Sequence, residues 1–376
     1  MHPRTPHPGT GTARDPHFTL TPEERAPLAA RWLQTDEEGI SLRDRALQRL
    51  RDGVGARSAG EDWAEAHDLR AVPLAGEDLS GLELSGFDLS WADFSNANLR
   101  GAKLSGAKLL GAVLMGADLE GAELLAADLR GATLNECRAP RVGFGKADLH
   151  GASLFGAHLR GATFTHSVLH GVDLRAADLT DARLRHADLS DANLSRAVLC
   201  RADLGLSRVR GTVFDHADLR SARLRALEDF WEASWIGVDL RDVDFTGAYL
   251  LRRHILDENY LFEFRSRNRT SAVLYWLWWI SSDCGRSLLR WALCNFALIA
   301  LFAVLYTRVE LDKGLHPTPL SPLYYSVVTF TTLGFGDVIP VSPAAQALAM
   351  LEVIMGYVGL GGLLAILSNR MARRAD

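Results

Sequence analysis

Between Leu74 and Leu224 an apolar residue recurs at every fifth position. Of the 31 positions, 25 are Leu, four are Phe (Phe94, Phe144, Phe164 and Phe214), and Ala139 and Val209 complete the set. Two residues before each sits a small residue, mostly Ala. A helix repeats at 3.6 residues and a strand at 2, so neither gives strict fives. A fixed period is the mark of a solenoid, whose units bury their apolar faces only against their neighbours. The rhythm falters at Glu136-Cys137-Arg138-Ala139-Pro140 and breaks over residues 226–234. It resumes one residue out of phase at Leu240, Phe245 and Leu250. Both breaks predict a bulged corner or loop, with a partner-binding protrusion as the alternative.

Runs such as GADLE, AADLR and HADLS resemble the pentapeptide-repeat family, A(D/N)LXX. That resemblance implies a right-handed quadrilateral β-helix over residues 71–250. Four pentapeptides would make one square coil, with Leu or Phe on the axis and Ala beneath the corner. Eight coils at the strand spacing would make a rod about 35–40 Å long.

The flanks read differently. Residues 1–20 lack an apolar stretch and predict a disordered tail. Thr21 as N-cap, Pro22 and two acids then start a helix to about Leu33. A second helix is predicted over 41–51, ended by Gly53-Val54-Gly55, so that residues 21–70 form a small helical cap. Beyond the rod, residues 251–286 predict a linker in which Arg252, Arg253, Arg265, Arg267 and Arg269 precede a short Trp- and Tyr-rich interfacial helix around 273–280. Residues 291–307 are uncharged and long enough to span a bilayer. A second span runs from about Pro343 to Arg370, within a pore region at 287–371, leaving a short tail at 372–376. Arginines flank the predicted inner ends of both spans, which places both termini and the rod in the cytoplasm of a cell with a two-span membrane protein. The preference for Arg over Lys points to a GC-rich bacterial genome.

Between the spans lies Ser321-Pro322, read as N-cap and first helical residue, then about ten helical residues, then Thr332-Leu333-Gly334-Phe335-Gly336-Asp337. Ten residues cannot cross a bilayer, so the segment must re-enter, with its non-helical end lining water or buried in protein. The stretch resembles the pore loop of potassium channels, and residues 287–371 resemble their two-transmembrane pore. The resemblance implies an α-helical membrane pore domain shared by four chains. It assigns K+ sites to the carbonyls of Thr332, Leu333, Gly334 and Phe335, with Gly336 and Asp337 shaping the outer mouth. Gly334 and Gly336 permit the alternation of backbone hand that aims successive carbonyls inward. Leu333 and Phe335 depart from the TVGYG filter. Leu keeps the carbonyl, whereas Phe lacks the hydroxyl that ties a tyrosine to the pore helix. The family's gating-hinge glycine falls on Gly356, and its cavity lining on Tyr357, Leu360, Leu364 and Ser368. Glu352, the only ionisable side chain of that span, is a candidate intramembrane acidic site that either braces the helix or senses pH.

Composition adds exclusions. The net charge is −5, and residues 71–224 balance 19 acids against 17 bases, too even for a mimic of duplex DNA; no nucleic-acid partner is expected. Four scattered cysteines form no CxxC and predict reduced structural thiols. There is no GxGxxG, GxSxG or HExxH, so neither an enzyme nor a cofactor is expected, K+ being the permeant ion. No span carries the repeated Arg of a voltage sensor. The expected partners are three further copies of the chain and the lipid bilayer, with the rod either binding an unidentified protein or acting as a spacer. The rival reading is a membrane-tethered pentapeptide-repeat scaffold with a vestigial pore.

Overall fold

A computed structural model describes residues 21–51, 67–312 and 318–375. The tail expected at 1–20, the helix stop at Gly53-Val54-Gly55, and Lys313 and Gly314 lie outside them. The chain divides into two units, residues 1–260 and 261–376.

The first unit is the solenoid. Parallel bridges join one residue of each pentapeptide to the residue twenty further on, from Asp68↔Asp88 and Pro73↔Asp93 to Arg208↔Glu228. One coil is therefore four pentapeptides. Each axial N–H reaches the next coil, as Leu99 N–H does to the Asp118 carbonyl at 2.7 Å. Each side closes with an i→i+3 turn, as between Ala102 N–H and the Leu99 carbonyl. The axial Leu and Phe side chains and the Ala two places before them are buried. Phe144 stacks on Phe164 with centroids 5.1 Å apart. The corners need positive φ. Gly101 supplies it freely, but Trp91 and Asn96 also adopt it at 60° and 57°, a strain of about 1–2 kcal/mol each that the ladder on both sides holds in place.

Two expectations change here. The coil passes through 136–140 without a bulge, because Cys137 and Ala139 fill the small and axial positions and both are fully buried. Leu250 is not an axial residue. It is exposed on a helix, and the apolar contacts expected of it come from Leu251 and Ile255. The second break does hold a loop: Asp229 is left-handed and a single 3-10 turn spans Phe230–Glu232. The loop adds one residue, so the pairing becomes Val213↔Ser234 and Asp218↔Asp239. Trp235 thereby takes the axis and stacks on Phe214 at 4.3 Å.

Both ends of the ladder are covered, which hides strand edges that would otherwise invite pairing with other chains. At the start, α1 (Pro22–Ala30) opens with a capping box between Thr21 and Glu24 and runs into a 3-10 turn, Arg31–Leu33. Helix α2 spans Leu42–Arg51. Trp32 and Leu47 are buried over the first coil. The Trp32 indole donates to the Arg70 carbonyl at 2.9 Å, and the Arg31 guanidinium donates to Asp68 at 2.9 Å. At the far end stands α3 (Tyr249–Ser266). Its Asn259 accepts from Gly237 N–H at 2.7 Å and donates to the Trp235 carbonyl at 2.9 Å. Residues 251–266 are thus helix where a linker was expected.

The second unit is helical. After the end of α3 come α4 (Arg269–Ser282), started by the Asn268 cap, and α5 (Leu288–Tyr306), started by the Ser287 cap. Next are β1 (Leu311–Asp312), α6 (Ser321–Phe330), β2 (Ile339–Pro340) and α7 (Pro343–Ala375). β1 and β2 pair antiparallel, Leu311 with Pro340 and Asp312 with Ile339. α5 and residues Pro343–Ser368 of α7 are long and apolar enough to cross a membrane. Phe302, Tyr306, Tyr325 and Val338 form a small buried cluster between α5, α6 and the segment after it.

Candidate functional site

α6 begins at Ser321, one residue earlier than expected. Leu320 holds the N-cap position, and the Ser321 hydroxyl accepts from Thr318 N–H at 2.9 Å instead of capping the helix. Pro322 follows, where a missing N–H costs nothing. The helix stops at Phe330 because the next N–H groups turn back: Thr331 to the Val327 carbonyl, Thr332 to Thr329 and Leu333 to Val328, at 2.9–3.0 Å. Beyond the helix, φ is positive at Thr332 (58°), Gly334 (56°) and Gly336 (76°) but not at Leu333 and Phe335 between them. Such alternation in hand turns successive carbonyls to one side of the strand. Residues 332–337 are all exposed in the single chain. The Tyr324 hydroxyl on α6 faces the Asp337 carboxylate. That proximity was not anticipated; thirteen residues of separation hide it until the chain turns back.

The α7 face toward α5 and α6 is built from small residues. A Cβ on Gly356 would overlap the Phe330 carbonyl, and one on Gly359 would meet the Phe330 ring and Asn295. A Cβ on Gly362 would overlap the Trp291 indole, while one on Gly361 would meet nothing. The Trp291 N–H donates to the Gly359 carbonyl at 3.0 Å, and Asn295 donates to the Trp291 carbonyl at 2.7 Å. Gly356, predicted as a hinge, therefore has a packing reason to lack a side chain. Glu352 lies one turn above it, fully buried. Its Oε2 accepts from the Tyr306 hydroxyl of α5 at 2.7 Å, and its Oε1 contacts the Ser326 hydroxyl of α6. Tyr357, Leu360, Leu364 and Ser368 are exposed in the single chain.

The solenoid surface offers no comparable site. Its charges pair locally, as in Asp128 with Arg130 and Asp173 with Arg175, each at 2.7 Å. Two histidine pairs, His150 with His170 and His166 with His186, stack between adjacent coils. Among the described residues no group of three or more His, Cys, Asp or Glu could hold a metal ion. The four cysteines are free, and burial pushes the Cys137 thiol up to about 12.

Residues 293–373 match the family described as ion channel, and eight pentapeptide repeats match within residues 78–226. A stretch of 109 residues is 27% identical to potassium channel K1 of Plasmodium berghei (strain Anka); it makes up 28% of this chain and spans only 5% of that protein's length. The pentapeptide-repeat protein HetL of the cyanobacterium Nostoc sp. strain PCC 7120 is 31% identical, with 48% of this chain and 87% of that one covered and a TM-score of 0.28. QnrB1, a plasmid-mediated fluoroquinolone resistance protein, is 21% identical, with 49% and 96% covered and a TM-score of 0.32. The chain carries a pentapeptide-repeat β-helix followed by an ion-channel domain of the two-span potassium-channel type. Neither family is one of enzymes. With the two apolar helices, these matches support a membrane-embedded, oligomeric ion channel.

Proposed function

We propose that four copies of this chain form one pore that conducts K+ passively, each contributing residues 332–337 to a shared filter. The observation that carries this reading is the alternating backbone hand at Thr332, Gly334 and Gly336, at the end of a helix too short to span. An anchor would have no use for such a segment. Four strands with carbonyls turned to a common axis replace the ion's hydration shell, the carbonyls of Thr332, Leu333, Gly334 and Phe335 forming the sites and Asp337 the outer mouth. Four-fold closure also gives partners to apolar side chains exposed on α6 and α7, among them Leu323, Val327, Leu351 and Ile354. Tyr357, Leu360, Leu364 and Ser368 line the cavity below the filter, and no cofactor is required. The rod lies in the cytoplasm with both termini, where it spaces the pore from other bodies or takes a protein partner.

Purified full-length protein in liposomes tests the proposal. K+ efflux exceeding Na+ efflux, and lost in Gly334→Ala, is expected. Absence of K+ efflux, or efflux untouched by Gly334→Ala, refutes it and favours the tethered scaffold.

A further inference from the structure

Three helices of the second unit meet at one buried carboxyl. Glu352 is the sole acid of α7 and has no exposed surface. The groups that face it are the Tyr306 hydroxyl from α5, and the Ser326 hydroxyl and the Tyr325 side chain from α6; none is a cation. An uncompensated carboxylate inside a membrane helix is costly.

The hydrogen-bond geometry allows a proton count. Ser326, itself fully buried, lies between two acceptors: the Ile299 carbonyl of α5 at 2.9 Å, and Glu352 Oε1. A serine hydroxyl has one proton to give. If Ser326 gives it to Ile299, its contact with Oε1 is a hydrogen bond only when the carboxyl carries a proton there and donates it. If Glu352 is ionised, the Ser326 hydroxyl must turn to Oε1, and the Ile299 carbonyl loses its partner on α6. Tyr306 donates to Oε2 in either state.

We propose that Glu352 is a proton-binding site that couples the pore to pH. With the proton in place, Glu352 donates to Ser326 and Ser326 donates to Ile299, a relay that ties α7, α6 and α5 together behind the filter. When the proton leaves to solvent, the Ser326 O–H rotates to the carboxylate, the tie from α6 to α5 is released, and conduction falls. Glu352 and Ser326 act here as positioning residues; neither touches the ion. The coupling to conduction rests on the channel reading, whereas the proton site does not.

The test uses the full chain, its Glu352→Gln variant and its Ser326→Ala variant. K+ efflux from liposomes is measured at about pH 6 and about pH 9, and the carboxylic-acid C=O stretch is followed by infrared spectroscopy on the same samples. The parent is expected to pass about fivefold more K+ at the lower pH or better, a typical coupling between linked sites. The ratio should approach one in both variants. The infrared band should be present in the parent and in Ser326→Ala, absent in Glu352→Gln, and weaker in the parent at the higher pH. A parent without the band at the lower pH, or with K+ efflux that ignores pH, overturns the proposal. A band that titrates in a parent passing no K+ upholds the proton site and overturns the channel reading instead.

Discussion

Gly356→Ala separates two accounts of the second span. In the packing account, the added methyl overlaps the Phe330 carbonyl and lies 3.0 Å from its carbonyl carbon. Carbon and oxygen sit comfortably at about 3.3–3.6 Å, so α7 or the end of α6 must move by around 1 Å. Over-packing of this kind costs about 1–3 kcal/mol. It outweighs the roughly 0.8–1 kcal/mol that Ala gains over Gly in a helix interior. The displaced group is two residues ahead of Thr332, so the filter is disturbed along with the fold. Gly361→Ala is the control: a Cβ there meets nothing, so only the helix gain of about 1 kcal/mol remains. The assay is thermal unfolding of the detergent-purified oligomer, paired with K+ efflux from liposomes. Gly356→Ala should lower the transition temperature and the flux, and Gly361→Ala should raise the transition temperature. A Gly356→Ala protein as stable as its parent, with altered flux alone, would refute the packing account and leave the hinge.

Three further outcomes are expected. Leu154→Ala should destabilise the rod by about 2–5 kcal/mol by opening a cavity on its axis, whereas exposed Leu206→Ala should change stability by no more than about 0.5 kcal/mol, both read by denaturant unfolding. Burial alone would raise the Asp68 carboxyl, but hydrogen bonds from the Arg70 and Arg31 guanidiniums outweigh it and hold the group well below the usual range. A depressed carboxylate stabilises above its unfolded value and loses that contribution as pH falls, so the protection of α1 amides against exchange, taken relative to the intrinsic rate at each pH, should fall below about pH 4 in the parent, and at neutral pH in Asp68→Asn. Thiol labelling at about pH 8, followed by mass spectrometry, should reach Cys137 last, because its thiolate is scarce and its sulfur is enclosed.

The period of five made the solenoid legible because every axial side chain meets the same demand in every coil. The same rule shows why the reading slipped. Cys137 and Ala139 look like an interruption in the string, yet a coil needs only small and apolar residues there, and both qualify. Leu250 continues the count of fives but already lies on α3, where a turn of helix replaces a side of the square. Trp235 escaped notice because the loop at 226–233 shifts the phase by one, and nothing local announces how many residues a loop adds. In the second unit the hexapeptide 332–337 stood out through its glycines, two of the three positions where φ is positive. The contacts beside it were not: Phe330 with Gly356 and Ser326 with Glu352 are fixed by how three helices cross.

The crossing also sorts the side chains of α7. At about 100° per residue, Ala345, Glu352, Gly356, Gly359 and Ile366 fall on one face, and each is buried or held close against α5 and α6. Tyr357, Gly361, Leu364 and Ser368 fall opposite, exposed in the single chain. Leu360, also exposed, stands about a quarter-turn from the buried face, between the two. The buried face then limits how the pore opens. A bend at Gly356 that carried the lower half of α7 outward would strip Gly359 and Gly362 from Trp291, breaking a hydrogen bond to the Gly359 carbonyl. A rigid tilt of α7 would keep those contacts but pull on Phe330 through Gly356 and on Ser326 through Glu352. Either movement is felt by α5 or at residues 330–332, so in the proposed pore α7 and the segment 332–337 would act mechanically as one device.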